Sequence, residues 1–398
     1  MNGLSGKPLV IENGRIIGPD RVYEGDVIVR EGRIASIAES GTGRFEAPEA
    51  QVLDAAGMFV MPGIIETHSD AIEREVQPRP GSIFPLEMAM YELEKKMTAV
   101  GITTLYHSIC SSDGTPVRND EMVARIVEFV ASKRGEPAMI RHRIHMRYEI
   151  TNVPGLDMVK GMLDREQIDL LSLMDHTPGQ GQYSNREVYQ NYLMGSENMT
   201  REEADRTIDQ LSGLKDQVDW SRIAEVVRYA QSKGVVTASH DDDTLDKVNW
   251  MHELGVAISE FPVNLEAAQA AASKRMHVSV GAPNVVRGAS HNHNMRAIDA
   301  IKSGAADILC SDYHPSSLLP ALFHIVASGI ELSKAVRMVT YHPAEALGIE
   351  AHFGSVEVGK VADLVVLELH DEYPIVRSTL VGGTVVYAAN FFEEEKGA

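Results

Sequence analysis

Residues 59–70 read FVMPGIIETHSD, an almost unbroken apolar run with a Pro62-Gly63 break, and the run stops at His68 and Asp70. Continuous apolar runs bounded by turn residues are how strands buried on both faces read. Working outward from it, seven more runs of this kind follow in order: GITTLYHS to Ser108, RHRIHMRYE to Glu149, IDLLSLMDH to His176, GVVTASH to His240, GVAISE to Glu260, HVSVGAPN to Asn284 and ADILCSD to Asp312. The gaps hold stretches such as LEMAMYELEKKMTAV and NDEMVARIVEFVASKRG, whose apolar residues recur three and four apart and predict amphipathic helices. Eight such repeats predict an α/β fold, a closed (β/α)8 TIM-like barrel.

The flanks read differently. LVIENGRII, DVIVREGRIASIA and QVLDAAGMFV are short strands broken by the turn pairs Asn13-Gly14 and Glu31-Gly32, and a similar pattern returns in ADLVVLELHDEYPIVRSTLVGGTVVYA. A small β-sandwich module built from both termini, residues 1–58 and 350–398, is therefore expected around a barrel at 59–349. The connection 177–234 is too long for a simple crossover and has its own helical pattern, which predicts a lid or side wall over the barrel mouth.

Composition narrows the chemistry. The chain has 398 residues, 44% of them hydrophobic, enough for a large core. A formal charge of −20 opposes encounter with nucleic acid or an anionic membrane. No apolar run of membrane-spanning length occurs, and the N-terminus lacks a signal-peptide pattern, so a cytoplasmic location is expected. Cys110 and Cys310 are the only cysteines and offer no paired spacing for structural zinc, so any metal must rest on His and carboxylate ligands. The 18 methionines fall at core spacings and read as packing.

In such a barrel the reactive residues stand where the strands stop. His68, Asp70, Glu149, Asp175, His176, His240, Glu260 and Asp312 all do. Buried acids and imidazoles at this density are costly unless cations offset them, and a metal cluster resolves the cost. Alternation along a strand lets His68 and Asp70 face the axis together as two ligands of one ion. His240 reads as a ligand, whereas Asp241, Asp242 and Asp243 read mainly as caps of the next helix. Asp312 is placed both to bind metal and to take a proton from water.

Three residues have two readings. Glu149 either bridges ions or pairs with Arg147, His176 is either a ligand or an ordinary hydrogen-bonded histidine, and Glu260 is either a substrate or ligand-supporting residue or a structural acid. His145, with His142 and most other histidines, is expected to be structural. His107, His291, His293 and His314 lie nearer strand ends and loops. In a cleft for an anionic substrate Arg287 is the leading cationic contact, with Asn284, Ser290 and His291 beside it and Arg79 and Arg147 as further contacts.

Taken together PGIIETHSD, the two-ended β module and the terminal CSD resemble the amidohydrolase superfamily. HSDAIE with PRP at 78–80, RHRIHMRYE, SLMDHTPGQ with NRE at 185–187, ASHDD, EFP, GAPNVVRG and SDYHPSSLL are similar, in matching order, to its branch of ribose-phosphonate triphosphate diphosphatases. The resemblance implies a cofactor of one or two divalent metal ions, zinc first and manganese or iron next, on His68, Asp70, Glu149, His176, His240 and Asp312. It also implies a small phosphorylated substrate from which pyrophosphate is released in phosphonate catabolism; assembly into a homo-oligomer stays open. Ala71 and His314 depart from the branch's pattern and keep a paralogue with another phosphorylated substrate as an alternative. A hydrolase or deaminase of a C–N bond is a further alternative, because the same ions can polarise a carbonyl or amidine carbon.

Overall fold

A computed structural model of the chain describes residues 7–112, 115–181, 186–196, 199–215, 217–290 and 294–392. Its strands are β1 Leu9–Ile17, β2 Val22–Arg30, β3 Arg33–Ala38, β4 Gln51–Asp54 and β5 Phe59–Pro62. Next come β6 Ile64–Ser69, β7 Ile102–Ser111, β8 Arg141–Glu149, β9 Leu170–Met174, β10 Val236–His240, β11 Ile258–Glu260, β12 His277–Gly281 and β13 Ile308–Cys310. The last are β14 Leu364–His370, β15 Tyr373–Val381 and β16 Thr384–Ala388.

The run expected to be one barrel strand is two. Gly63 divides it: β5 pairs with β1 and β14 in the outer sheet, and β6 pairs with β7 in the barrel. A glycine is required there by close approach, since a Cβ would overlap the Oγ1 and Cγ2 of Thr103. The outer sheet runs β16-β15-β14-β5-β1-β2-β3, with β4 alongside β1, so both termini contribute. Ile11, Ile16, Val27, Val60, Leu364, Val366 and Leu380 form its core.

The second sheet holds β6 to β13 in sequence order, every neighbouring pair parallel. Ser69 and Asp312 form a parallel bridge between the first and last strands. The amide of Asp312 donates to the carbonyl of His68 (2.9 Å) and that of Asp70 to the carbonyl of Asp312 (3.0 Å). Inside this seam the Glu66 carboxyl accepts from the amides of His68 (2.7 Å) and Ser311 (2.8 Å), and burial pushes it up to about 8 against those donors. Below the mouth, Ile65, Tyr106, Leu170, Ala238, Ile258 and Ile308 pack into one cluster, one residue from each of six strands, so the barrel is filled beneath its mouth. Outside, helices pack on the strands through a cluster including Leu93, Val127, Ile144, Leu171 and Val227.

Within the long connection, helices Arg186–Ser196 and Arg201–Lys215 share a small core of Tyr189, Leu193, Ala204 and Ile208. The helix Trp220–Ser232 is the crossover proper and packs beneath β10. Lys215 reaches back to the Oε1 of Gln180 and to Asp175, 4.0 Å away, so this pair of helices stands as a wall beside the mouth. Among the described residues no helix is long and apolar enough to cross a membrane.

Candidate active site

The strand ends converge as the periodicity predicts, although their chemistry is divided differently. His68, on β6, is buried; its Nδ1 donates to Glu260 Oε1 at the end of β11 (2.9 Å). That bond fixes the ring and leaves Nε2, buried and without a hydrogen-bond partner, as the free ligand atom. His176 is held in the same manner, its Nδ1 2.7 Å from Glu149 Oε2 while its backbone amide lies 3.2 Å from Oε1. Glu149 therefore pairs with His176, and Arg147 turns elsewhere: it donates to Asp70 Oδ1 at 2.7 Å, with its other amine 3.4 Å from His240 Nε2.

Asp241 was expected to be a cap, and the structure corrects this. Thr244 caps the helix Leu245–Glu253, Asp242 accepts from the hydroxyls of Ser239 (2.5 Å) and Ser259 (2.6 Å), and Asp243 accepts from the amide of Gly181 (2.8 Å). Asp241 instead turns its carboxylate to His240 Nδ1 at 3.3 Å and His176 Nε2 at 3.7 Å. Burial raises its carboxyl, but the two imidazoles and Lys247 outweigh that and hold it well below the usual carboxylate range. Asp241, Phe261 and Asp312 follow β10, β11 and β13 in left-handed backbone conformations (φ 52°, 52° and 55°). Such a conformation costs on the order of 1 kcal/mol in a residue with a side chain and tends to gather at functional sites.

Two sets of candidate ligand atoms result, each mutually within 4.8 Å: His68, His240 and Glu260, and His176, His240 and Asp241. Among the described residues, His68 Nε2, His240 Nδ1, Asp241 Oδ2 and Glu260 Oε2 are all buried without hydrogen-bond partners. Buried imidazole nitrogens without hydrogen-bond partners, facing carboxylates, are the donor set a divalent cation needs. Burial, and next the Arg147 guanidinium, hold His68 well below its ordinary value, so it is neutral and able to ligate. Asp312 is half-buried at the seam; desolvation first, and then Asp70, raise its carboxyl to about 7.

The remaining expected residues separate. Asn284 and Arg287 belong to the helix Ala282–Arg287, not to a strand end, because Pro283 in its first turn starts a helix directly after β12. The Asn284 amide is occupied by backbone, donating to the Met295 carbonyl (3.1 Å) and accepting from the Ala297 amide (3.0 Å). Arg287, Arg79 and, less so, Ser290 face solvent, while His291 and His293 lie outside the described residues. His145, expected to be structural, is fully buried inside the barrel; its Nε2 is 2.9 Å from Ser172 Oγ and 3.7 Å from Glu260 Oε2. Its spacing from Arg147 and Glu149 on β8 was the available signal. Arg118 and Arg74 were also missed: Arg118 stands 3.9 Å from Asp70, and Arg74 lies over the Tyr313 ring at 5.4 Å. Both stand beyond a strand end, in a loop and a helix that strand periodicity does not reach.

A filled parallel barrel whose mouth gathers imidazoles, carboxylates and strained backbone defines this protein as a metal-dependent hydrolase. The chain belongs to the amidohydrolase family, whose model matches residues 221–396. It is similar to the alpha-D-ribose 1-methylphosphonate 5-triphosphate diphosphatase of Escherichia coli (strain K12), 34% identical over 372 residues covering 92% of this chain and 96% of that one. Among solved structures it is similar to dihydropyrimidinase from Brevibacillus agri (TM-score 0.65, 15% identity, 95% of this chain and 94% of the other). It is also similar to N-acetylglucosamine-6-phosphate deacetylase from Pasteurella multocida (TM-score 0.62, 14% identity, 96% and 100%). At those identities the two structures speak for the barrel and its outer module alone.

Proposed function

We propose that this protein is a metal-dependent diphosphatase that hydrolyses α-D-ribose 1-methylphosphonate 5-triphosphate to the 5-phosphate and pyrophosphate. One observation carries the reading: similarity to the Escherichia coli diphosphatase extends over nearly the full length of both chains. His68, His240, His176 and Asp241 would hold the ion or ions, with Asp70, Glu149 and Asp312 completing the centre. Zinc suits this nitrogen and oxygen set first, and manganese or iron(II) next. When bound, such an ion supplies Lewis acidity, lowering the pKa of water and offsetting charge on the phosphoryl group.

The chain's own groups do the rest. Glu260 and Glu149 fix the tautomers of His68 and His176 by holding their Nδ1 protons. Asp312, raised toward neutrality, takes the proton of the attacking water. Its backbone bonds to His68 and Asp70 keep that carboxylate beside the first strand. Arg147, buried between Asp70 and His240, provides fixed positive charge for a polyanion.

The test is product identification. Metal-reconstituted protein is incubated with ribose 5-triphosphates and, separately, with amides and aminopurines, and pyrophosphate, orthophosphate and ammonia are assayed. Pyrophosphate in step with a sugar 5-phosphate is expected. Ammonia release without a phosphate product would move the assignment to a C–N hydrolase.

A further inference from the structure

The mouth of a protein carrying a formal charge of −20 holds three arginines around two acids. Arg147 comes from β8 and donates to Asp70 at 2.7 Å. Arg118 comes from the loop after β7. Its Nε and Nη2 both bond Glu73 Oε2, at 2.9 and 2.8 Å, and Nη2 also lies 3.9 Å from Asp70. Arg74, in the short helix after β6, stacks over Tyr313, the neighbour of Asp312. The three thus come from three successive strand–loop units on the Asp70–Asp312 side of the mouth. Arg74 is exposed, as is Arg287, which stands apart from these three on the helix after β12.

Glu73 explains why Arg118 is more than a surface charge. Its carboxylate is buried, with Oε1 accepting from the Cys110 amide (3.1 Å) and Oε2 taken up by Arg118. A buried acid is costly without a partner, and here it anchors the inner edge of a guanidinium whose side chain is still about 32% exposed. Nη1 is left outside that pair. A guanidinium locked on one edge and wet on the other is arranged for bidentate recognition of a further anion.

We propose that Arg74, Arg118 and Arg147 form a cradle for the β- and γ-phosphates of the substrate, with Glu73 as the positioning residue that presents Arg118. The assignment rests on the diphosphatase reading and deepens it, moving the polyphosphate subsite from the Arg287 helix to the Asp70 side. Selectivity for a triphosphate over a monophosphate then comes from this cluster. Pyrophosphate, as product, leaves from the same three side chains.

The experiment is calorimetric titration of the metal-loaded protein with inorganic tripolyphosphate, pyrophosphate and orthophosphate, for wild type, Arg118→Met, Arg118→Lys, Arg74→Met and Arg287→Met. Metal content and thermal midpoint are recorded for each. Loss of a charge-assisted contact predicts tripolyphosphate and pyrophosphate binding weaker by about tenfold or more in Arg118→Met, with partial recovery in Arg118→Lys. A smaller loss is expected in Arg74→Met, little change for orthophosphate, and none in Arg287→Met. Glu73→Gln should weaken pyrophosphate binding in the same direction. Unchanged affinity in the folded, metal-loaded Arg118→Met and Arg74→Met proteins overturns the cradle even where pyrophosphate is still the product. Failure of the wild type to bind polyphosphate overturns it as well. The diphosphatase reading fails separately, in the product assay.

Discussion

Glu260, at the end of the sixth barrel strand, holds the Nδ1 proton of His68, on the first strand, at 2.9 Å across the barrel interior, and both side chains are about 1% exposed. The bond fixes which imidazole nitrogen faces the cluster. Substituting Glu260→Gln keeps the shape but removes the charge that supports the ring. Metal affinity is expected to fall by about 10- to 100-fold, the usual cost of losing a partner of this kind. Competition with a chelator of known affinity measures it, and wild-type affinity in the variant would assign Glu260 to structure alone.

The crossing at Gly63 makes a stability prediction. A methyl group there overlaps the Thr103 hydroxyl and methyl and stands 2.9 Å from its Cβ, and that threonine is buried in β7. Gly63→Ala is expected to destabilise by about 1–3 kcal/mol through overpacking. Adding Thr103→Ala should recover part of that loss. Thermal midpoints of the single and double variants decide it, and equal midpoints in wild type and Gly63→Ala would show that the two sheets can separate slightly at no cost.

How far these features are legible in the sequence depends on their range. Eight barrel strands and the two-ended outer module follow from local apolar patterning, and the sheets bear out their order, although the seventh strand stops at Gly281 and not at Asn284. The division of 59–70 does not, because apolar residues run on either side of Gly63 from Phe59 to Ile65, both strands are buried, and the approach of Thr103 is what marks the break. His68 and His240 stand out by position. Asp241 does not, since three consecutive aspartates before a helix resemble capping, and only the left-handed turn at 241 sends that side chain to the imidazoles. Asn284 was misplaced for the opposite reason: it looked like a strand-end polar group, and its amide is used by backbone eleven and thirteen residues ahead. Long-range partners of this kind are invisible to periodicity.

A pH dependence follows from His277, remote from the metal cluster in sequence and at the opposite end of its strand. Its Nδ1 lies 2.7 Å from Asp307 Oδ2. Burial pulls its pKa down, but the bond to Asp307, that residue's charge and Glu345 outweigh burial and raise it above the ordinary value. A raised folded-state pKa contributes stability that is fully present below the unfolded value, about 6.5, and is lost as pH rises through the folded value. The wild-type advantage in thermal midpoint over His277→Gln should therefore be largest near pH 6 and shrink toward pH 8. A constant difference across that range would mean that the charge of His277 contributes nothing.

The last prediction concerns which bond breaks. On the diphosphatase reading the arginines beside Asp70 hold the distal phosphates, and Asp312, joined to Asp70 across the seam, takes the proton of a water directed at the α-phosphorus. Water is then delivered to the α-phosphorus, and the β,γ unit departs with its charge already compensated. A terminal phosphatase would deliver water to the γ-phosphorus instead. Turnover of a ribose 5-triphosphate in ¹⁸O-labelled water, followed by ³¹P NMR, separates the two. The label is expected on the sugar 5-phosphate, with unlabelled pyrophosphate. Asp312→Asn should cut the rate by about 100-fold or more, the scale of a lost general base, without changing where the label appears. Labelled orthophosphate together with a sugar 5-diphosphate would contradict the placement of the water and, with it, the diphosphatase reading, whereas the cradle itself is decided by polyphosphate binding.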